Sequence, residues 1–110
     1  MSVDRERLRH DVGKYIARVA TNVPPGSPVP PALAPLLLRD VYGRADEPSM
    51  RLRFRELTPG ADDPVLTACR RELDALASLE SPARAGDAET LTEVADRARR
   101  VARMLREWTP

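Results

Sequence analysis

Residues 49–57 read SMRLRFREL, and the fold class turns on whether they form a strand or a helix. Met50, Leu52 and Phe54 alternate with Arg51, Arg53 and Arg55, the period-two pattern of a half-buried strand. Met50, Phe54 and Leu57 also lie four and three residues apart, on one face of a helix. A strand here would lack a partner, and its backbone N–H and C=O groups would go unpaired. The pattern therefore predicts a short helix capped by Ser49 and ended by Thr58-Pro59-Gly60, with an edge hairpin as the alternative.

The segments on either side are helical in pattern. After residue 60, Asp63 can cap a helix with Pro64 at its first position, and Leu66, Cys69, Leu73 and Leu76 form its inward stripe. That helix is expected to end around Glu80, before Ser81-Pro82. Asp87, following Gly86, caps the clearest helix of the chain, in which Leu91, Val94, Ala98, Val101, Leu105 and Trp108 make a heptad seam. Glu93–Arg97 and Asp96–Arg100 are i,i+4 pairs worth about 0.3 kcal/mol each on an exposed face. Before residue 49, a helix is expected from Pro31 to Tyr42 with Leu33, Leu36, Leu37 and Val41 inward and Gly43 as a left-handed stop, although Pro35 falls late for a first turn. PPGSPVPP, residues 24–31, is a stiff extended connector, which suits crossing the end of a bundle better than serving as a proline-rich ligand. The first helix runs from about Ser2 to Val23, with Leu8, Val12, Tyr15 and Val19 on one face.

Composition agrees with this reading. A chain of 110 residues fills one modest core, so residues 1–110 are expected to form a single domain. Its apolar residues are mostly Ala, Leu and Val, with few aromatics, a mix for packed helices rather than sheets. The expectation is an all-α, single-domain antiparallel bundle of four main helices with a short extra helix at 49–57. A net charge of +1 supplies no global field toward nucleic acid or an acidic membrane. No apolar run approaches a membrane span, and the charged opening MSVDRERLRHD lacks the apolar core of a signal peptide. Cys69, the only cysteine, excludes an internal disulfide and a cysteine zinc site, and a lone thiol fits the cytoplasm. Nearly all the basic residues are arginines, which GC-rich bacterial coding accounts for.

The remaining signal is LRHDVGKYI, residues 8–16, which holds the only histidine, His10, and the only lysine, Lys14. At about 100° per residue His10 falls almost opposite the stripe of Leu8, Val12, Tyr15 and Val19. Lys14 lies one turn on, and Gly13 and Ala17 strip bulk from the surface between. Glycine there costs about 1 kcal/mol of helix stability relative to alanine. Neutral imidazole is a nucleophile near neutral pH. Asp11 can hold the ring and raise its basicity, and the Lys14 ammonium can offset charge on a transferring phosphoryl group. An exposed histidine on a polar helix face is also commonplace, in which case it is solvated or a contact residue.

His10-Asp11 resembles the His-acid pair of histidine-kinase dimerisation helices and of sporulation-type phosphotransferases. With Gly13 and Lys14 it is also similar to histidine-containing phosphotransfer domains of two-component systems, which are four-helix bundles. Here Gly13 precedes Lys14, the reverse of the usual order in that domain, and kinase helices carry Thr, Asn or Gln where Lys14 stands. The resemblance covers about eight residues. It implies that His10 accepts and passes on a phosphoryl group, with Asp11 and Lys14 assisting. A response-regulator-like receiver would dock over His10, Gly13 and Ala17. It implies a relay intermediate without autonomous catalysis, and no cofactor. The alternative is a non-catalytic helical adaptor, able to form a homodimer through the heptad seam. HDVGK also resembles the metal site of HD-domain phosphohydrolases, but no second histidine exists to complete one, so no metal is expected.

Two arginine clusters complete the inventory: Arg51, Arg53 and Arg55, and Arg97, Arg99, Arg100, Arg103 and Arg106. Either could dock an acidic partner, but solvated faces balanced by nearby acids are favoured. No aromatic residue is interleaved in the second cluster, and Phe54 in the first belongs to the inward face, which disfavours nucleic acid. Cys69 and Trp108 are read as packing residues.

Overall fold

The computed structural model of the protein describes residues 6–8, 10–11, 28–43, 48–60 and 62–108. Among them the regular structure is helical throughout: α1 (Ala34–Tyr42), α2 (Met50–Leu57), α3 (Pro64–Ser78), α4 (Glu80–Arg84) and α5 (Ala88–Glu107). Residues 6–8 and 10–11 are also helical. The expected all-α single-domain bundle is the observed fold. The rest of the first helix expected over residues 2–23, and most of the 24–31 connector, lie outside the described residues.

Side chains start these helices where the sequence places them. Ser49 accepts a hydrogen bond from the Leu52 N–H, Asp63 from those of Val65 and Leu66, and Asp87 from that of Thr90. Each satisfies donors that a helix leaves open in its first turn. Residues 49–57 are therefore helix, not hairpin, with Met50 and Phe54 fully buried. Gly43 ends α1 at φ 79 and ψ −174, a region closed to residues with a Cβ, while its N–H bonds to the Arg39 carbonyl.

Contacts along α3 and α5 set their direction. Trp108, just past the end of α5, meets Asp63 at the start of α3, and midway Arg97 meets Glu72. The two longest helices thus run antiparallel, and their facing stripes make the centre of the core. At the opposite end from Trp108, the Tyr42 hydroxyl donates to the Leu76 carbonyl at 2.6 Å, and Arg51 pairs with Asp74 at 2.8 Å. The end of α1, the start of α2 and the last turns of α3 therefore share one end of the bundle, so α2 also runs antiparallel to α3. Leu8 enters the same core from the N-terminal helical segment.

Four details differ from the sequence reading. The helix expected over 31–42 begins at Ala34, after a turn over 31–33, which moves Pro35 into the first turn where no N–H is needed. With that start Leu37 and Val41 are buried, while Leu36, one step round the helix, is 39% exposed rather than inward. The helix expected to stop before Ser81-Pro82 breaks at Leu79 and resumes as α4, because Pro82 stands in a first turn and forfeits no helical hydrogen bond. Finally, Asp96 pairs with Arg99 and not with Arg100, whose guanidinium lies 3.8 Å from Glu72 on α3. The heptad seam of α5 is buried inside this chain, from Leu91 to Trp108, so a second copy cannot use it without unfolding the core.

Candidate functional site: the helical face at His10

Leu8 and His10 are two residues apart on one helical segment, about 200° around its axis. Leu8 is fully buried and His10 is exposed, so the segment lies with its apolar side on the core and the imidazole turned outward. Among the described residues His10 makes no hydrogen bond and no ion pair.

Asp11 does not reach the ring. Its side chain is 14% exposed, and its carboxylate accepts a hydrogen bond from Arg53 Nη2 at 2.8 Å. Arg7, one turn earlier, is 3.8 Å from the same oxygen. Successive residues on a helix point about 100° apart, so the acid beside a histidine in sequence is poorly placed to hold it. Arg53 forks: its second terminal nitrogen, Nη1, donates to Glu56 at 3.2 Å. The hydrogen bonds that Arg53 donates to Glu56 and to Asp11 favour the charged guanidinium and raise its pKa further. The structure thus joins Asp11 to α2 and leaves His10 exposed, with no partner among the described residues. Gly13, Lys14 and Ala17 lie outside the described residues.

Arg53 is the member of this group that sequence reading placed elsewhere, among solvated arginines. The signal in reach was the helical reading of 49–57, which puts Arg53 beside the buried Phe54 and hence near the core rim. Nothing in the spacing of Asp11 and Arg53, 42 residues apart, could pair them. Arg51 is likewise paired, with Asp74, and Arg97 bridges Glu93 and Glu72, so much of both arginine clusters is neutralised in place.

Two hollows lie away from His10. One, of about 150 Å³, is walled by Val41, Tyr42, Arg51, Leu73, Leu76 and Glu80. The other is an open, mostly apolar groove of about 380 Å³ between Pro64, Val65 and Ala68 of α3 and Met104 and Trp108 at the end of α5. No three His, Cys, Asp or Glu side chains converge as metal ligands among the described residues. Nor is any helix among them long and apolar enough to cross a membrane. Cys69 is buried in the core, and burial, then Asp63 and Glu72, push its thiol up to about 12, which removes it as a nucleophile.

Compared with protein-family models, with curated proteins and with solved structures, the chain matches none.

Proposed function

We propose that the protein is a small bacterial signalling domain of the cytoplasm that relays phosphoryl groups through His10. The observation that carries this reading is the exposed imidazole, without a partner among the described residues, on a helical segment whose opposite side is anchored by Leu8. In the forward step a ring nitrogen attacks the phosphorus of an aspartyl phosphate on a receiver domain. The P–N bond forms, the P–O bond to the aspartate breaks, the carboxylate leaves with the electron pair, and the phosphoimidazole sheds a proton to water. Lys14, four residues on in the sequence, would offset charge on the transferring group, and Gly13 and Ala17 would admit the receiver. Asp11 would assist through the helix that it fastens rather than through the ring. The chain would be an intermediate in the relay and would need no cofactor.

Incubation with acetyl-phosphate-loaded receiver domains, followed by detection of acid-labile label on this chain, tests the reading. Label on wild type and none on His10→Ala is expected. Equal behaviour of the two excludes relay by this residue.

A second reading, a non-catalytic adaptor that binds another protein or a second copy through the same face, is favoured by one observation: the Asp11 carboxylate is committed to Arg53 and not to His10. His10→Gln separates the readings. An adaptor keeps its partner and its biological output in that variant, whereas a relay loses the output.

A further inference from the structure

Asp11 follows His10 in the chain, yet its carboxylate is engaged by another helix. Arg53 of α2 spans from Glu56, one turn along its own helix, to Asp11, and 31% of its side chain remains exposed. Together with Leu8 in the core, this contact is what fastens the described part of the N-terminal segment against the bundle. Leu8 fixes how deep the segment lies. Among the described residues Leu8 is the one apolar anchor of this segment; one such anchor leaves rotation about the helix axis open, and the Arg53–Asp11 pair supplies a second, directional contact. Asp11 and His10 are adjacent, so the rotation that Arg53 fixes is also the direction in which the imidazole points.

We propose that Arg53 is the positioning residue of the His10 site, an assignment that rests on the phosphoryl-relay reading. Its guanidinium braces the helix that presents the nucleophile by engaging the Asp11 carboxylate, which the helix already turns away from the imidazole. Asp11 then serves His10 through the backbone, not as a base partner. A bidentate fork is required, because one planar group must reach two carboxylates on two elements; a lysine ammonium at position 53 could hold only one well.

The test uses the full chain with Arg53→Gln, Asp11→Ala and the double variant, and Arg51→Gln as a control whose salt bridge lies at Asp74. Two readouts are taken. Amide exchange at residues 10 and 11 is expected to speed up about tenfold in each single variant, with the double no worse, because both remove one shared contact. Exchange in α3 and α5 should stay unchanged, as should the Arg51→Gln control. With an acetyl-phosphate-loaded receiver as donor, the maximal transfer rate should fall about tenfold while the half-saturating receiver concentration holds, since orientation rather than docking is lost. Arg53→Lys should recover part of that rate.

Unchanged exchange at residues 10 and 11 in Arg53→Gln overturns the brace. Transfer that falls in Asp11→Ala but not in Arg53→Gln overturns it as well, because Asp11 would then act on the ring directly. Equal labelling of wild type and His10→Ala instead removes the relay reading, and the exchange data tell that failure from failure of the brace.

Discussion

Trp108 and Asp63 close the two longest helices on each other. The indole Nε1–H donates to Asp63 Oδ2 at 3.2 Å, while Oδ1 of the same carboxylate accepts from the Val65 and Leu66 N–H groups. One side chain therefore caps the start of α3 and ties down the end of α5. The indole body is buried beside the core, with its polar edge turned to the carboxylate, the arrangement tryptophan favours at a rim.

This shared carboxylate gives the protein an acid-sensitive joint. The Trp108 hydrogen bond, with those from Leu66 and Val65, holds the Asp63 carboxyl below its ordinary value of 3.8. A carboxyl with a depressed folded pKa stabilises the fold above its unfolded pKa, and that contribution disappears as pH falls through the lower, folded value. Asp63→Asn should keep much of the cap but flatten the acid limb of stability below about pH 4. Asp63→Ala should lower Tm by about 5 °C at pH 7, since the cap is lost outright. Thermal melts followed by far-ultraviolet circular dichroism between pH 2 and 7 check both.

Cys69 should behave as an inert core atom until the chain unfolds. Thiol reagents at pH 8 are expected to leave the native protein unlabelled and to label it fully in guanidinium. The folded thiol, at about 12, keeps its proton where the unfolded one, near 9, has lost it. The unfolded state therefore binds fewer protons in that window, and stability must fall as pH rises from about 9 to about 12, by at most about 1.4 kcal/mol per pH unit. Cys69→Ala should remove this slope. Cys69→Ser should cost about 1–3 kcal/mol by leaving a hydroxyl in apolar surroundings. Urea titrations at pH 7 and pH 10 distinguish the outcomes.

Local signals carried most of the fold. Ser49, Asp63 and Asp87 cap the helices that their positions announced, and the seam from Leu91 to Trp108 is buried as its heptad spacing requires. What stayed hidden was tertiary. Arg100 has Asp96 four residues earlier, but α3 offers it Glu72 across the bundle, and Asp96 turns to Arg99. Pro82 looked like a stop because a proline inside a helix breaks it, whereas at a restart it costs nothing. At the candidate site the exposure of His10 follows from helical period alone. The use of Asp11 does not, since adjacency in sequence suggested a ring partner and the folded chain supplied Arg53 instead.

Leu36 and Leu37 are neighbours with opposite fates, and they make a matched test of the α1 register. Leu37 is 2% exposed and Leu36 is 39% exposed. Leu37→Ala should destabilise by about 2–5 kcal/mol through lost burial and the cavity left behind. Leu36→Ala should stay within about 0.5 kcal/mol of wild type, as surface substitutions usually do. Chemical denaturation of the two variants measures the difference. Equal losses would mean that the helix is rotated by one residue from the register described.

Tyr42 locks the far end of the bundle from Trp108. Its hydroxyl donates to the Leu76 carbonyl, and its ring lies 5.8 Å below the Arg84 guanidinium. Burial, aided by Glu80 and opposed by Arg84, pushes the phenol up to about 12 from 10.0. Ionisation would remove the donated proton and set an oxyanion against a carbonyl oxygen, so the folded state resists it. Between pH 10 and 12 the unfolded chain therefore loses a proton that the folded chain keeps, and stability falls as pH rises. The window is narrower than that of Cys69, whose thiol is raised from 9.0 to about 12, so the total loss is smaller. Tyr42→Phe should cost about 1 kcal/mol at pH 7 for the lost hydrogen bond, and should lose its disadvantage to wild type as pH climbs past 10. Ultraviolet titration of the phenolate provides an independent reading. Subtracting the Tyr42→Phe titration from that of wild type isolates the Tyr42 phenolate, which should form near pH 12 rather than 10. A difference wave centred at the ordinary phenol value of 10.0 would mean that the lock at Leu76 does not hold the proton.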